Sequence, residues 1–111
     1  MKKLLILLLL PFTAVCQDFP DGMVAVEFNA SFNKSNEVAW LSKLSECKIQ
    51  RVDIAADSRW SKEYKVVVVP TIVIFNNNEE VKRFQANIMM TMEATLKEVQ
   101  NSIDEIVMEA F

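Results

Sequence analysis

From residue 24 the chain alternates. Val24, Val26 and Phe28 fall on one side and Ala25 and Glu27 on the other, which predicts a strand over 24–29. The period then changes. Val38, Leu41, Leu44 and Ser45 recur at helical spacing with Trp40 beside them, predicting a helix that ends near residue 46. Ser31, Asn33 and Ser35 each suit its N-cap, and Glu37 falls in the first turn, where an acid is favourable. A second strand is predicted over 49–54, then a short helix capped by Asp57 or Ser58 and ending near Tyr64. Residues 66–69 lead to Pro70, and 71–75 form a β-branched strand. Three asparagines at 76–78 make a hairpin turn, with its partner strand over 80–84. A last helix starts at Met90 or Thr91 and runs to 108, its apolar stripe formed by Leu96, Val99, Ile103, Ile106 and Val107. Met89, Met90, Met92 and Met108 read as core or boundary residues of that helix.

The predicted order is β-α-β-α-β-β-α. Helices in the first two strand connections favour parallel pairing, while the asparagine turn forces the last pair antiparallel. The pattern describes an α/β fold: a central mixed sheet with helices on both faces.

The 111 residues suffice for one domain. The N-terminus stands apart. Lys2 and Lys3 precede a leucine-rich run over 4–10, Pro11 breaks it, and small residues follow through Ala14. This is the pattern of a signal peptide over 1–16, cleaved after Cys16, with a lead-in over 17–22 and the domain over 23–111. Two other outcomes are compatible: lipidation of Cys16, which Thr13-Ala14-Val15 suits poorly, or retention of the segment as an anchor. All three place the domain outside the cytoplasm, periplasmic or secreted, and only the latter two put it on a membrane.

Beyond Lys3 there are ten cations against fifteen acids and no basic patch, so no nucleic-acid partner is expected. Histidine is absent, which removes the commonest general base and most zinc sites. No cofactor or metal is expected. After cleavage Cys47 is the remaining cysteine, so an intramolecular disulfide is excluded.

Two segments carry a more specific signal. Residues 24–37 read VAVEFNASFNKSNE and residues 66–84 read VVVVPTIVIFNNNEEVKRF. Val52-Asp53-Ile54, Lys62-Glu63-Tyr64 and Val69-Pro70-Thr71 follow at matching spacings. Together they resemble the thioredoxin family from about residue 23 to 107. In that family a strand ending Asp-Phe-Trp-Ala precedes Trp-Cys-Gly-Pro-Cys, and Ile-Pro-Thr enters a later strand. Placed without gaps, Glu27-Phe28-Asn29-Ala30 takes the strand end and Phe32 the motif tryptophan. Asn33, Lys34, Ser35 and Asn36 take the Cys-Gly-Pro-Cys positions. Leu41 stands near the family's kinking proline and Asn78 at its hairpin glycine. The extra N-terminal strand and helix are missing, so this looks like a minimal version.

The resemblance implies a thioredoxin-like scaffold without its dithiol, hence no catalytic residues. It also implies a cis bond before Pro70, close to Asn33, and a peptide-binding surface at Phe32, Asn33, Val69 and Pro70, with the Val69 backbone pairing with an extended partner. Asn33 is expected to cap the helix. Glu27, where the family has a buried Asp, is expected half-exposed or satisfied by a lysine. Trp60 is expected in the core. Cys47 is expected opposite the motif end as a structural thiol. The Asn-x-Ser sequences at Asn29 and Asn33 are discounted as glycosylation acceptors because the signal segment looks bacterial and Asn29 ends a core strand. The expected function is an exported, redox-inactive binding or scaffold module for a protein or peptide partner. The rival is an envelope thiol-disulfide redox protein using Cys47 or a partner thiol.

Overall fold

The structure, a computed structural model, describes residues 18–109. The expected signal segment, Cys16 included, lies outside the described residues. Four strands form one sheet: β1 Met23–Asn29, β2 Lys48–Asp53, β3 Thr71–Asn76 and β4 Glu79–Gln85, in the order β2-β1-β3-β4. β2 runs parallel to β1, from Val24 opposite Lys48 to Asn29 opposite Asp53. β3 is antiparallel to β1 and to β4.

The antiparallel β3 corrects the expectation that a helical connection would give a parallel pair. Helix α1, Arg59–Glu63, has five residues, so it advances only about 7 Å. A six-residue strand is about 20 Å long. The helix does not carry the chain back along β2, and β3 starts at the end where β2 finished. The hairpin turn behaves as expected: Asn77 and Asn78 have φ of 53° and 66°, the left-handed conformation that asparagine tolerates best after glycine.

The alternation of β1 divides the core. Val24, Val26 and Phe28 join Val73 and Phe75 on one face, where Trp60 and Tyr64 of the α1 segment pack. Ala25, Ile72 and Ile74 meet Val38, Leu41 and Leu44 on the other, together with Val99 and Ile103 of α2, Leu96–Glu109. Helices therefore cover both faces, and Trp60 lies against the core as expected. α2 begins five residues or more after its expected start. Thr95 caps it reciprocally with Glu98: the Glu98 amide donates to Thr95 Oγ1 at 3.2 Å and the Thr95 amide to Glu98 Oε1 at 2.8 Å.

The lead-in before β1 is part of the core. Phe19 is 3% exposed and stacks on Phe75 with ring centres 4.9 Å apart. Its amide donates to Asn78 Oδ1 at 3.1 Å, and its carbonyl accepts from Asn78 Nδ2 at 2.7 Å. Asp18 accepts from the Tyr64 hydroxyl and pairs with Arg59 at 3.5 Å.

The helix expected after β1 is replaced by two 3₁₀ turns, Ser31–Asn36 and Ala39–Lys43, joined through extended backbone at Glu37 and Val38. The apolar positions still face the core, which is why helical spacing was legible. The interruption has a local cause. Val38 gives its N–H to Glu27 Oε2 at 2.8 Å, and its C=O accepts from Arg51 Nη2 at 3.0 Å. The N–H is thereby diverted from a helical ladder, while the C=O also accepts from the Leu41 amide at 3.3 Å and so opens the second turn.

Candidate functional site

Phe28 pairs with Thr71. That register brings the loop after β1 beside the loop before β3, and so joins the four-residue motif to Pro70. The Val69–Pro70 bond is cis, and the Asn33 side-chain amide donates to the Val69 carbonyl at 3.4 Å. The expected proximity of Asn33 and Pro70 is therefore present.

Asn33 does not cap a helix. It lies inside the first 3₁₀ turn at φ −113°, ψ 22°, and the N-cap residue is Ala30, with no side-chain bond. Its side chain turns inward instead and is 4% exposed. Nδ2 lies within hydrogen-bond distance of the Met90 carbonyl at 3.1 Å, Asn29 Oδ1 at 3.2 Å and the Val69 carbonyl. Oδ1 accepts from Asn36 Nδ2 at 2.8 Å. Asn29 Nδ2 donates to the Asn33 carbonyl at 3.3 Å. The two hydrogens of one amide are thus shared among acceptors at the end of β1, in the loop before β3 and in the loop after β4. Among the described residues no buried side-chain polar atom lacks a partner.

The other motif positions differ. Lys34 is exposed and pairs with Glu37 at 3.0 Å; its hydrogen bond and charge hold the Glu37 carboxyl below the ordinary glutamate range. Ser35 is exposed and Asn36 half-buried. No nucleophilic thiol stands at any of the four. No α-helix follows the motif, so the partial positive charge that a helix N-terminus would lend a thiolate is also missing there.

Glu27 corrects a second expectation. It is 1% exposed, and its partner is Arg51, directly opposite on β2, rather than a lysine. Burial pushes the Glu27 carboxyl up, against the Val38 N–H bond and the Arg51 charge, which pull it down. The pair lines a cleft of about 210 Å³, together with Asn29, Lys34, Glu37 and Asp53. Arg51 was missed in the sequence because its role depends on strand register; a cation on the strand parallel to a buried acid is the signal that could have found it.

Cys47 is half-buried against the α2 side of the core. It immediately precedes Lys48, which pairs with Val24 at the start of β1. The motif follows the other end of that strand, roughly 16 Å away at about 3.3 Å per residue. The structure does not bring Cys47 to the motif. Burial, reinforced by the Glu46 carboxylate, raises its thiol pKa, which disfavours the reactive thiolate.

The motif end also carries exposed apolar side chains. Phe32 is 73% exposed, Ile88 95% and Met89 72%. The expectation that Met89 and Met90 belong to the last helix is corrected: they lie in the loop after β4, and Met90 has a φ of 61°. Asn87 organises that loop. Its Oδ1 accepts from the amides of Met89 at 2.9 Å and Thr91 at 3.2 Å, and from the Thr91 hydroxyl at 3.0 Å. The bond from Met89 to Asn87 is an Asx turn, so an asparagine just after the strand was the sequence signal for it.

No family model and no curated protein matches the chain. Solved structures do. A mutant thioredoxin from Halobacterium salinarum is 19% identical with a TM-score of 0.60, covering 77% of this chain and 74% of its own. A thioredoxin from Schistosoma mansoni is 20% identical, with a TM-score of 0.57 and 77% of each chain covered. Thioredoxin 1 from Thermosipho africanus is 22% identical, with a TM-score of 0.59, covering 78% of this chain and 97% of its own. The chain has a thioredoxin-like fold.

Proposed function

We propose that this chain is an exported, redox-inactive thioredoxin-like module that binds a protein or peptide partner at the motif end. The observation that carries the reading is Asn33. At the position where the family resemblance puts the attacking cysteine stands an amide that donates to two neighbouring loops and accepts from Asn36. The position serves as a structural tie rather than a reactive group. Export rests on the leucine-rich N-terminal pattern alone.

The four expected contact residues converge, but they differ in availability. Phe32 projects into solvent, whereas Asn33, Val69 and Pro70 are buried. Contact with a partner therefore falls chiefly to Phe32 and to the exposed Ile88 and Met89 of the loop whose Met90 carbonyl meets Asn33.

A thiol-disulfide role would have to use Cys47, which is half-buried, raised in pKa and remote from the motif. Intact mass after timed exposure to glutathione disulfide decides between the readings. Cys47 in the folded chain should form the mixed disulfide many-fold more slowly than in urea. Equal or faster reaction in the folded chain would favour the redox role.

A further inference from the structure

Arg51 stands between two carboxylates in opposite settings. Its Nη1 donates to Glu27 Oε1 and lies 4.0 Å from Glu37 Oε2. The Glu27 side chain is 1% exposed, and that of Glu37, in the link between the two 3₁₀ turns, is 36% exposed. Nη2 of the same guanidinium donates to the Val38 carbonyl at 3.0 Å, and the Val38 amide donates to Glu27. One cation therefore fastens the link to the sheet. It does so through the carboxylate whose charge the interior opposes most.

The order in which the two acids take up protons follows from these settings. Burial opposes charge on Glu27, whereas Lys34, paired with Glu37 at 3.0 Å, favours charge there. As pH falls, Glu27 is neutralised while Glu37 is still ionised. Asp53 is the other charged residue on this cleft, and its Oδ1 accepts from the Ala55 amide at 2.9 Å. On the opposite side of β1, β3 pairs Glu27 with Ile72, which carries no charge.

A neutral Glu27 no longer holds Arg51 by charge, and Glu37 is close enough to take it over. The cleft of about 210 Å³ that both acids line gives the guanidinium room to turn. It also lets water reach the new Glu27 hydroxyl. The Val38 carbonyl, once released, keeps the Leu41 amide at 3.3 Å and is not left unpaired.

We infer that Glu27, Arg51 and Glu37 form an acid-responsive clasp. Protonation of Glu27 moves Arg51 to Glu37 and frees the Val38 carbonyl, which loosens the segment carrying positions 33–36. The movement needs no partner at the motif end.

The test is an NMR titration of the isotope-labelled protein from neutral pH downward. It follows the carboxyl carbons of Glu27 and Glu37, the Arg51 Nε–H and the Val38 amide. Glu27 should titrate first. Arg51 and Val38 should move in that step, and Arg51 again in the Glu37 step. Glu27→Gln imitates the protonated acid, so at neutral pH its Arg51 and Val38 signals should already lie near the acid positions. If that variant does not fold, the wild-type titration decides alone. In Glu37→Gln, below the Glu27 midpoint, the Arg51 Nε–H should exchange with solvent severalfold faster than in the wild type, because its second partner is gone. The inference is overturned if Glu37 titrates first, if Arg51 and Val38 stay still through the Glu27 step, or if Glu37→Gln leaves the exchange unchanged. Collapse of the Ile103 core signals in the Glu27 step also overturns it, since that is unfolding rather than release of a clasp.

Discussion

Asn36 donates its side-chain amide to Oδ1 of Asn33 at 2.8 Å. The first and last positions of the degenerate motif therefore face each other, although no α-helix holds them in register. Asn33→Cys with Asn36→Cys should form an intramolecular disulfide, read as a loss of two mass units that dithiothreitol reverses. A folded double variant that stays reduced under glutathione disulfide would show that the two side chains do not meet.

Asn33 should matter more to stability than to chemistry. Asn33→Ala removes the donor that serves the Val69 and Met90 carbonyls. Leaving buried polar groups unpaired costs about 1–3 kcal/mol. Urea unfolding should show a loss in that range for Asn33→Ala. The loss should be smaller for Asn36→Ala, whose bond is a single one to the tie. Equal losses at the two positions would contradict the central role given to Asn33.

Glu27 sets a pH dependence. Its carboxyl titrates above the ordinary glutamate value in the folded chain because it is buried. Its favourable contribution is then fully present below the unfolded value and is lost as pH rises through the raised folded value. The stability of the wild type minus that of Glu27→Gln should fall over that interval. A difference independent of pH would contradict the raised titration. Arg51→Leu should add a separate loss at neutral pH of about 2–3 kcal/mol, less than the 3–5 of a fully enclosed pair because Arg51 is 38% exposed. Acid should relieve that loss by neutralising Glu27.

The lead-in gives a fourth test. Phe19→Ala removes a ring packed against Phe28, Trp60, Tyr64 and Phe75. Loss of a buried phenylalanine costs about 3–5 kcal/mol. Thermal unfolding should show a drop of that order. A small change would mean that residues 18–22 are not integral to the core.

Much of the fold was legible because two signals agree along the strands. Val24, Val26 and Phe28 alternate with Ala25 and Glu27, and the pleat sends them to opposite layers. The paired asparagines supply the left-handed turn. What was illegible depends on contacts between distant segments. Helical spacing at Val38, Leu41 and Leu44 reports which side is buried, not whether the ladder is continuous, and Glu27 breaks it by taking the Val38 N–H. The direction of β3 follows from the short reach of α1. At the site, the motif positions and the cis bond were placed by the family resemblance. The inward turn of Asn33 depends on the loop carrying Met90, 57 residues along the chain, and no local pattern reports it.

The central proposal is that a thioredoxin-like scaffold here keeps the motif positions beside Pro70 without the redox chemistry. Dithiothreitol-driven reduction of insulin, with the wild type beside Asn33→Cys/Asn36→Cys, tests it most directly. The wild type should match the protein-free blank. The double variant should rise above it, though weakly, since Lys34-Ser35 replaces Gly-Pro and no helix N-terminus supports the thiolate. Turnover by the wild type that disappears in Cys47→Ala would contradict the account.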